Sequence, residues 1–362
     1  ATVTIEQDLA LNRLDIAIAN NQVNKDLEFD AVTPITLTLN GTSPTVELYG
    51  GVNWTGRFFS NVALAGSQGL RCITGTGSQR TFLEINGDAS GLSGPVTLSG
   101  HDQSEFTFLP GSSLGSTNVS VHAGVFSLRS GSGAANTAFP DDAVVALEGS
   151  RAVFNPRAWG GATPSSETIG KIVLVVGYGS IAVDNWAGGG AGGDFVLGDA
   201  TAGLDRGPHG KGMMALRTQS DDSVRTDVIV QNGFAAGLLP WAMSNYGRLV
   251  ELDGSNVLGV YSGGSTDAPA DPNTWVADTD YRIVAGSFPS STLNNDLQLA
   301  SLMGYYGGAA TLTIASGKTL TLTHGILGLG RTGGVTSMTL TGGTLTTTAG
   351  TLYINGGPTP CS

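Results

Sequence analysis

The sequence predicts an all-β chain, because short segments alternate apolar and polar residues and turn-forming residues separate these segments. In residues 35–39, for example, the apolar side chains fall on one face of a strand and two threonines fall on the other. The turn pair Asn40-Gly41 follows directly. No stretch combines three turns of helical apolar spacing with helix caps. We therefore expect strands and turns along the whole chain.

The composition excludes several classes of function. The chain has 362 residues with 55 glycines, 13% charged residues and a formal net charge of -12. Nucleic-acid binding requires clustered lysines and arginines, so a phosphate-tracking surface is excluded and an anionic membrane surface is disfavoured. The longest apolar run, residues 172–176, is far shorter than the roughly 20 residues that span a bilayer. We expect no transmembrane segment.

The last 66 residues favour one β architecture. From Leu297 onward the only charged side chains are Lys318 and Arg331, and threonines alternate with leucines or isoleucines. These short strands recur at roughly eight-residue intervals with glycine-rich corners between them. They lie at residues 310–314, 318–323, 337–341, 343–346 and 350–354. Since so short a strand cannot bury its apolar face alone, we predict stacked coils of a parallel β-solenoid, with a β-sandwich as the alternative.

Composition changes divide the chain into three regions. Residues 1–165 form a β-rich region, residues 166–300 a second β-rich region with loop insertions, and residues 301–362 the threonine- and glycine-rich coils. The alternating segment 1–18 is interpreted as a cap across a solenoid end or as an assembly strand, because an open end exposes unpaired backbone groups.

One segment mimics a dinucleotide-binding fingerprint. Residues 171–182 form an apolar strand followed by Gly177-Tyr178-Gly179. The chemistry requires a helix after this turn, whose N-terminus holds the pyrophosphate. The run Gly188-Gly189-Gly190 cannot sustain that helix, so we predict a strand and a turn without a nucleotide site.

A second segment matches the nonapeptide of calcium-binding β-rolls. Residues 189–197 fit the pattern, with Asp194 as the ligand, but no second nonapeptide follows in register. Calcium at Asp194 is therefore kept only as an alternative, and we expect no cofactor. The four histidines show no metal-ligand spacing.

Candidate catalytic groups are scattered. The acidic pairs Asp141-Asp142 and Asp221-Asp222, with His209, Lys211 and Arg282, faintly resemble the elements of polygalacturonases. Pro208 interrupts the expected Gly-His-Gly, and Val284 stands where that family has a lysine. The sequence assigns no catalytic residue, and we expect that the chain is not an enzyme; a polysaccharide-degrading solenoid enzyme is the alternative.

The two cysteines and the first residue suggest an exported protein. Cys72 and Cys361 form no metal motif, and in an oxidising compartment they can pair with each other or between subunits. A small residue, Ala1, opens the chain, as signal-peptidase cleavage would leave it. We expect an extracellular or cell-surface location.

Two segments resemble large bacterial proteins with autotransporter-associated β-strand repeats. Residues 237–242 read Gly-Leu-Leu-Pro-Trp-Ala, with an Asn-Tyr-Gly turn at residues 245–247. Residues 337–346 and 350–355 are similar to the Gly-Gly-Thr-Leu strands of those proteins. The resemblance implies a right-handed parallel β-helix that acts at the cell surface as a stalk, adhesin or matrix element. The predicted function is that of a structural or adhesive protein that assembles with copies of itself into extracellular filaments or matrix. Surface glycans are a second candidate partner, and a glycan- or calcium-binding module is a further alternative.

Overall fold

The structure is a computed structural model. It describes residues 1–355 except 24–25, 53, 75–80, 101–103, 110–111, 131–138, 150–151, 159–165, 183–192, 209, 218–225, 245–247, 264, 285–287, 289, 306–308 and 330–336. Strands make up 67% of the chain, and the fold is a parallel β-solenoid of about 10 turns. The described residues contain no α-helix. They therefore include no helix that is long and apolar enough to cross a membrane. The predicted all-β solenoid is confirmed and the β-sandwich alternative is wrong, because the strand pairing is parallel almost throughout.

The chain divides into two compact units. Among the described residues, the N-terminal unit lies within residues 1–213 and 224–235, and the C-terminal unit lies within residues 214–223 and 236–355. The predicted region boundaries near 165 and 300 each fall inside one of these units.

The N-terminal unit consists of coils that contribute one strand to each of several parallel sheets. The first sheet contains β1 (Thr2–Ile5), β4 (Asp26–Ala31), β7 (Trp54–Phe58), β10 (Thr81–Ile85), β14 (Glu105–Phe108), the second part of β16 (Asn118–Ser130), β18 (Ala152–Ala158) and β21 (Tyr178–Ala182). The second sheet contains β2 (Leu9–Leu11), β5 (Ile35–Leu39), β8 (Val62–Gly66) and β12 (Gly91–Leu92). The third contains β3 (Arg13–Val23), β6 (Thr45–Val52), β9 (Leu70–Thr74), β13 (Val96–Gly100), the first part of β16, β17 (Val144–Glu148), β20 (Lys171–Val176) and β23 (Leu204–Asp205).

Two smaller parallel sheets complete this unit. One pairs β11 (Asp88–Ala89) with β15 (Ser113–Leu114), and the other contains β19 (Ser166–Ile169), β22 (Gly193–Leu197) and β25 (Thr226–Val230). Residues 1–18 are strands of the first described coil, paired with β4, β5 and β6. Residues 171–182 are a strand, a turn at Gly177 and a second strand, which confirms the strand and turn predicted for this segment.

Aromatic rings fill the interior of the N-terminal unit. Phe106, Phe126 and Phe154 are register partners on successive strands of the first sheet, and their side chains are buried. The ring centroid of Phe126 lies 6.1 Å from that of Phe106, 5.8 Å from that of Phe154 and 5.5 Å from that of Phe139. Each buried ring stabilises the fold by about 1.5–3 kcal/mol through removal of apolar surface from water. The aromatic column thus links several coils.

The C-terminal unit begins with a departure from the solenoid pattern. Its strand β24 (Met213–Arg217) pairs in parallel with β26 (Gly237–Ser244), which continues into an antiparallel pair with β27 (Leu249–Leu252) and then β28 (Leu258–Val260). These are the antiparallel pairings among the described residues. The Gly-Leu-Leu-Pro-Trp-Ala segment that carries part of the resemblance forms the first six of the eight residues of β26.

The rest of the C-terminal unit is regular solenoid. It contains β29 (Thr266–Asp267), a 3₁₀-helix η1 (Pro272–Thr274), β30 (Asp280–Val284), β31 (Ser291–Leu293), β32 (Leu297–Tyr305), β33 (Ala309–Leu329), β34 (Ser337–Thr347) and β35 (Tyr353–Asn355). The long strand β33 follows three sides of one coil, and each of its three segments pairs with a different set of strands. The first segment pairs with β31 and β34, and the second pairs with β32 and β34. The third segment pairs with β32 and β35. The eight-residue interval in the sequence is therefore one side of a three-sided coil.

The predicted in-out alternation is confirmed on these sides. Leu312, Ile314, Leu320 and Leu322 are buried, whereas the intervening threonines are half-buried. Gly325 forms one corner with φ +66°, and a Cβ there would lie 2.3 Å from the carbonyl oxygen of Thr351. This corner therefore requires glycine both for its backbone conformation and for the close approach of the next coil.

The aromatic column makes a direct test of the packing. Phe126→Ala should reduce the free energy of unfolding by about 3–5 kcal/mol, because it leaves a cavity next to the rings of Phe106, Phe139 and Phe154. Val32→Ala is the control, since the Val32 side chain is 87% exposed and its truncation should change stability by no more than about 0.5 kcal/mol. Urea unfolding followed by circular dichroism measures both variants. Equal losses in the two variants would contradict the packing described.

Candidate functional site

The outer surface of the first sheet carries a column of polar side chains, which we call the polar column. Its members are register partners on six successive strands: Glu28, Arg57, Glu84, Thr107, Ser127 and Asn155. Because side chains alternate along a strand, the polar column lies on the face of the sheet opposite to the aromatic column. The last four members are all at least nine-tenths buried, which is unusual for the outer surface of a sheet.

Arg57 is the positive centre of the polar column. Its Nε donates to Glu84 Oε2 at 2.7 Å, Nη2 lies 2.6 Å from the same oxygen, and Nη1 lies 3.3 Å from Glu28 Oε1. Burial lowers the pKa of Arg57, but the hydrogen bond and charge of Glu84, together with the charges of Asp26 and Glu28, raise the pKa overall. Opposite charges therefore alternate from coil to coil, where like charges in register would repel.

A second glutamate lies diagonally across from Glu84. Glu105 is 5% exposed and accepts a hydrogen bond from Thr107 Oγ1 at 3.0 Å. Ser127 follows Thr107 in the column, and its buried Oγ has no hydrogen-bond partner among the described residues. Both glutamates are engaged by neighbouring groups: Glu84 by Arg57 on the adjacent coil, and Glu105 by Thr107 on its own strand. Sequence reasoning missed this cluster because its members are about 20–30 positions apart and each stands alone in the sequence.

The structure does not bring the candidate catalytic groups together within the described residues. Asp141 and Asp142 form an exposed turn before β17 in the N-terminal unit, and Lys211 is exposed. Arg282 belongs to β30 in the C-terminal unit and is ion-paired with Asp267. His209, Asp221 and Asp222 lie outside the described residues. The absence of enzyme activity stays a prediction.

Asp194, the candidate calcium ligand, lies on a solvent-exposed side of its coil. It is exposed on β22, with Ser166 and Asp227 as its register partners in the neighbouring coils. In the part of the chain that the structure describes, no group of three or more histidine, cysteine, aspartate or glutamate residues is placed to hold a metal ion. Calcium at Asp194 stays an untested alternative, and the expected absence of a cofactor stays a prediction.

Cys72 lies inside the N-terminal unit. Its side chain is 1% exposed, its thiol forms no disulfide within the part of the chain that the structure describes, and burial strongly raises its pKa. It lines a small pocket at the corner between the third and first sheets, together with Thr74, Ser104 and Phe106. A buried thiol with a raised pKa is a poor nucleophile, because the thiolate is the reactive form. Cys361 lies outside the described residues, so its pairing with Cys72 stays a prediction.

The C-terminal unit carries threonines in register on two sides of its coils. On one side Thr311 pairs with Thr339 and Thr313 pairs with Thr341. On the next side Thr319 pairs with Thr344 and Thr321 pairs with Thr346. The strand alternation turns all of these side chains outward, so hydroxyl groups coat both sides.

The fold defines a class of protein, the parallel β-solenoid. In this chain the first sheet carries the polar column. Comparison with models of known families, with curated proteins and with solved structures finds no match.

The polar column can be tested through its charges. Arg57→Met should lower the free energy of unfolding by about 1–3 kcal/mol, because it leaves the nearly buried carboxylate of Glu84 without its cation. Thermal or urea unfolding measures the loss. The double variant Arg57→Met/Glu84→Gln should recover part of it, since the uncompensated charge is then removed.

Arg13 provides the matched control. It lies 2.7 Å from Asp15 and 2.6 Å from Glu47, but its side chain is 54% exposed. Since solvent screens such a pair, Arg13→Met should cost clearly less than Arg57→Met. A larger loss for Arg13→Met would show that the polar column does not stabilise the stack as described.

Proposed function

We propose that the chain is a secreted or cell-surface structural and adhesive protein that acts through shape and self-association rather than through a reaction centre. The observation that carries the proposal is the exposed strand edges of its first and last described coils. β1, β2 and β3 each pair with one neighbour among the described residues, and so do β34 and β35. Such edges present unpaired backbone donors and acceptors to another strand.

Apolar side chains accompany both edges. Val3 on β1 is 41% exposed and Ile354 on β35 is 62% exposed, and they are two of the four large exposed hydrophobic residues in the described chain. The other two, Val32 and Val276, lie in loops between strands. The last described coil also carries apolar residues that are only half-buried against the core: Met338, Leu340, Leu345 and Leu352.

The partner that fits these edges is a second copy of the same chain. Parallel strands have a direction, so the edge of a first coil is complementary to the edge of a last coil and not to itself. Pairing of unlike surfaces is heterologous, and heterologous contacts that do not close form filaments. Strand addition would supply main-chain hydrogen bonds, while Val3 and Ile354 would lose their exposure to water.

A pair of charge substitutions tests this assembly. Val3→Lys blocks the first-coil edge and Ile354→Lys blocks the last-coil edge, and each variant alone should be monomeric where the unmodified chain associates. An equimolar mixture should form dimers and nothing larger, because one free edge of each variant can still pair. Sedimentation velocity and negative-stain electron microscopy measure the species. Val32→Lys and Val276→Lys are the controls and should associate like the unmodified chain.

Two outcomes would overturn the assembly. One is an unmodified chain that stays monomeric at every concentration reached; the other is a loss of association in the loop controls as large as in the edge variants. Dimers in Val3→Lys alone would show that like edges pair, which contradicts the head-to-tail arrangement.

A further inference from the structure

One side of the C-terminal coils carries a two-dimensional array of threonines, which we call the threonine face. It consists of Thr292 on β31, Thr311 and Thr313 on β33, and Thr339 and Thr341 on β34. Thr292, Thr313 and Thr341 form one column in register, and Thr311 and Thr339 form a second column. The apolar residues between them are turned inward, so these five outward positions all carry threonine; Ala309 and its register partner Ser337 precede the array at the next outward position.

The pairing sets two repeat distances on this face. Neighbouring strands lie about 4.7–4.9 Å apart, and residues two apart along a strand lie about 6.6–6.8 Å apart. The β-branched side chain of threonine is restricted at χ1 in a strand, so each hydroxyl and each methyl group recurs at nearly the same place. The result is a rigid lattice with one hydroxyl and one methyl group at each point.

The hydroxyl groups of this lattice are available to a ligand. Thr292, Thr339 and Thr341 are exposed, and Thr311 and Thr313 are half-buried. In the described part of the chain, none of these five hydroxyls makes a hydrogen bond to a protein group, although Thr323 and Thr347 nearby do so through theirs. The five hydroxyls therefore bond to solvent.

The neighbouring side is a natural comparison. It carries Thr319, Thr321, Thr344 and Thr346, but Gln298 replaces threonine in one column. The carboxylate of Asp296 accepts a hydrogen bond from the backbone N–H of Thr319, and Lys318 precedes that residue. Charged groups bind water strongly and in their own geometry, so this side offers a less regular surface.

We propose that the threonine face binds ice. Its two repeats are close to the two oxygen repeats on the prism face of ice, so hydroxyls and the water held around the methyl groups can occupy lattice positions without rearrangement. A rigid array loses little entropy when it binds, which favours a ligand that is itself periodic. A polysaccharide is the less suitable ligand, because sugar rings stack on aromatic side chains and the outward positions of this face carry none.

The inference goes beyond the proposed structural role and does not depend on filament formation. We suggest testing it in the Ile354→Lys background, where the last-coil edge is blocked and the threonine face is intact. The measurement is the fraction of protein that a slowly growing ice surface takes up from dilute solution, with ice-crystal shape recorded in parallel. The unsubstituted face should enrich the protein in the ice fraction.

Two double variants on one strand provide the matched comparison. Thr339→Lys/Thr341→Lys changes the threonine face, and Thr344→Lys/Thr346→Lys changes the neighbouring side, and all four threonines are exposed on β34. The first pair should reduce uptake into ice about tenfold, equivalent to about 1.4 kcal/mol, and the second should leave it near the unsubstituted value. Circular dichroism and the melting temperature check that both variants fold.

Thr292→Lys serves if the first double variant does not fold, because Thr292 is exposed on β31 and belongs to the same column. Exclusion of the unsubstituted protein from ice would overturn the proposal. Equal loss of uptake in both double variants would also overturn it, since a specific face would then not be responsible. Retention on crystalline cellulose without uptake into ice would assign the face to a polysaccharide instead.

Discussion

The backbone hydrogen bonds between coils are the interaction on which the structure depends. Each strand of a coil pairs with strands of the coils before and after it, so a coil without neighbours has few internal backbone partners. The pairing is useful only in the correct register, because a shift of one residue would move every apolar side chain to the outside. The aromatic column through Phe126 in one unit and the leucine-rich interior of the other favour the observed register.

Stacking in register also dictates the chemistry of the outer surface. A residue on one coil has its register partner directly above it, so like charges in register repel unless neighbouring groups compensate them. Glu28, Arg57 and Glu84 satisfy this condition, while threonines satisfy it in the C-terminal unit without any charge. The low charged fraction of 13% is therefore a consequence of the architecture. It also explains why the candidate functional features are columns and faces rather than one concave site.

The sequence was sufficient to predict features that depend on residues close together in the chain. It was insufficient for features that depend on the number of residues in each coil. Alternation of leucine and threonine predicted the sides of the C-terminal coils, and Gly177 and the glycines after it predicted a turn at the false nucleotide fingerprint. The polar column could not be predicted, because the spacing between its members follows loops of unequal length. Thr107 pairs with Ser127 only 20 positions later, whereas Ser127 pairs with Asn155 after 28. The antiparallel strands β27 and β28 interrupt the pattern in the same way.

Register between neighbouring coils is tested most directly by disulfide trapping at outward positions. Thr36 and Ala63 are register partners on β5 and β8, so their Cα atoms lie at about 4.8 Å, within the range that a disulfide bridges. With Cys361 replaced by serine, Thr36→Cys/Ala63→Cys should oxidise completely to an intramolecular disulfide, measured by thiol titration and mass spectrometry. Thr36→Cys/Ala65→Cys places the second cysteine two residues further along β8. The two Cα atoms are then more than about 7 Å apart, so both introduced thiols should stay free. Trapping of the second pair in preference to the first would contradict the stacking of coils described for this protein.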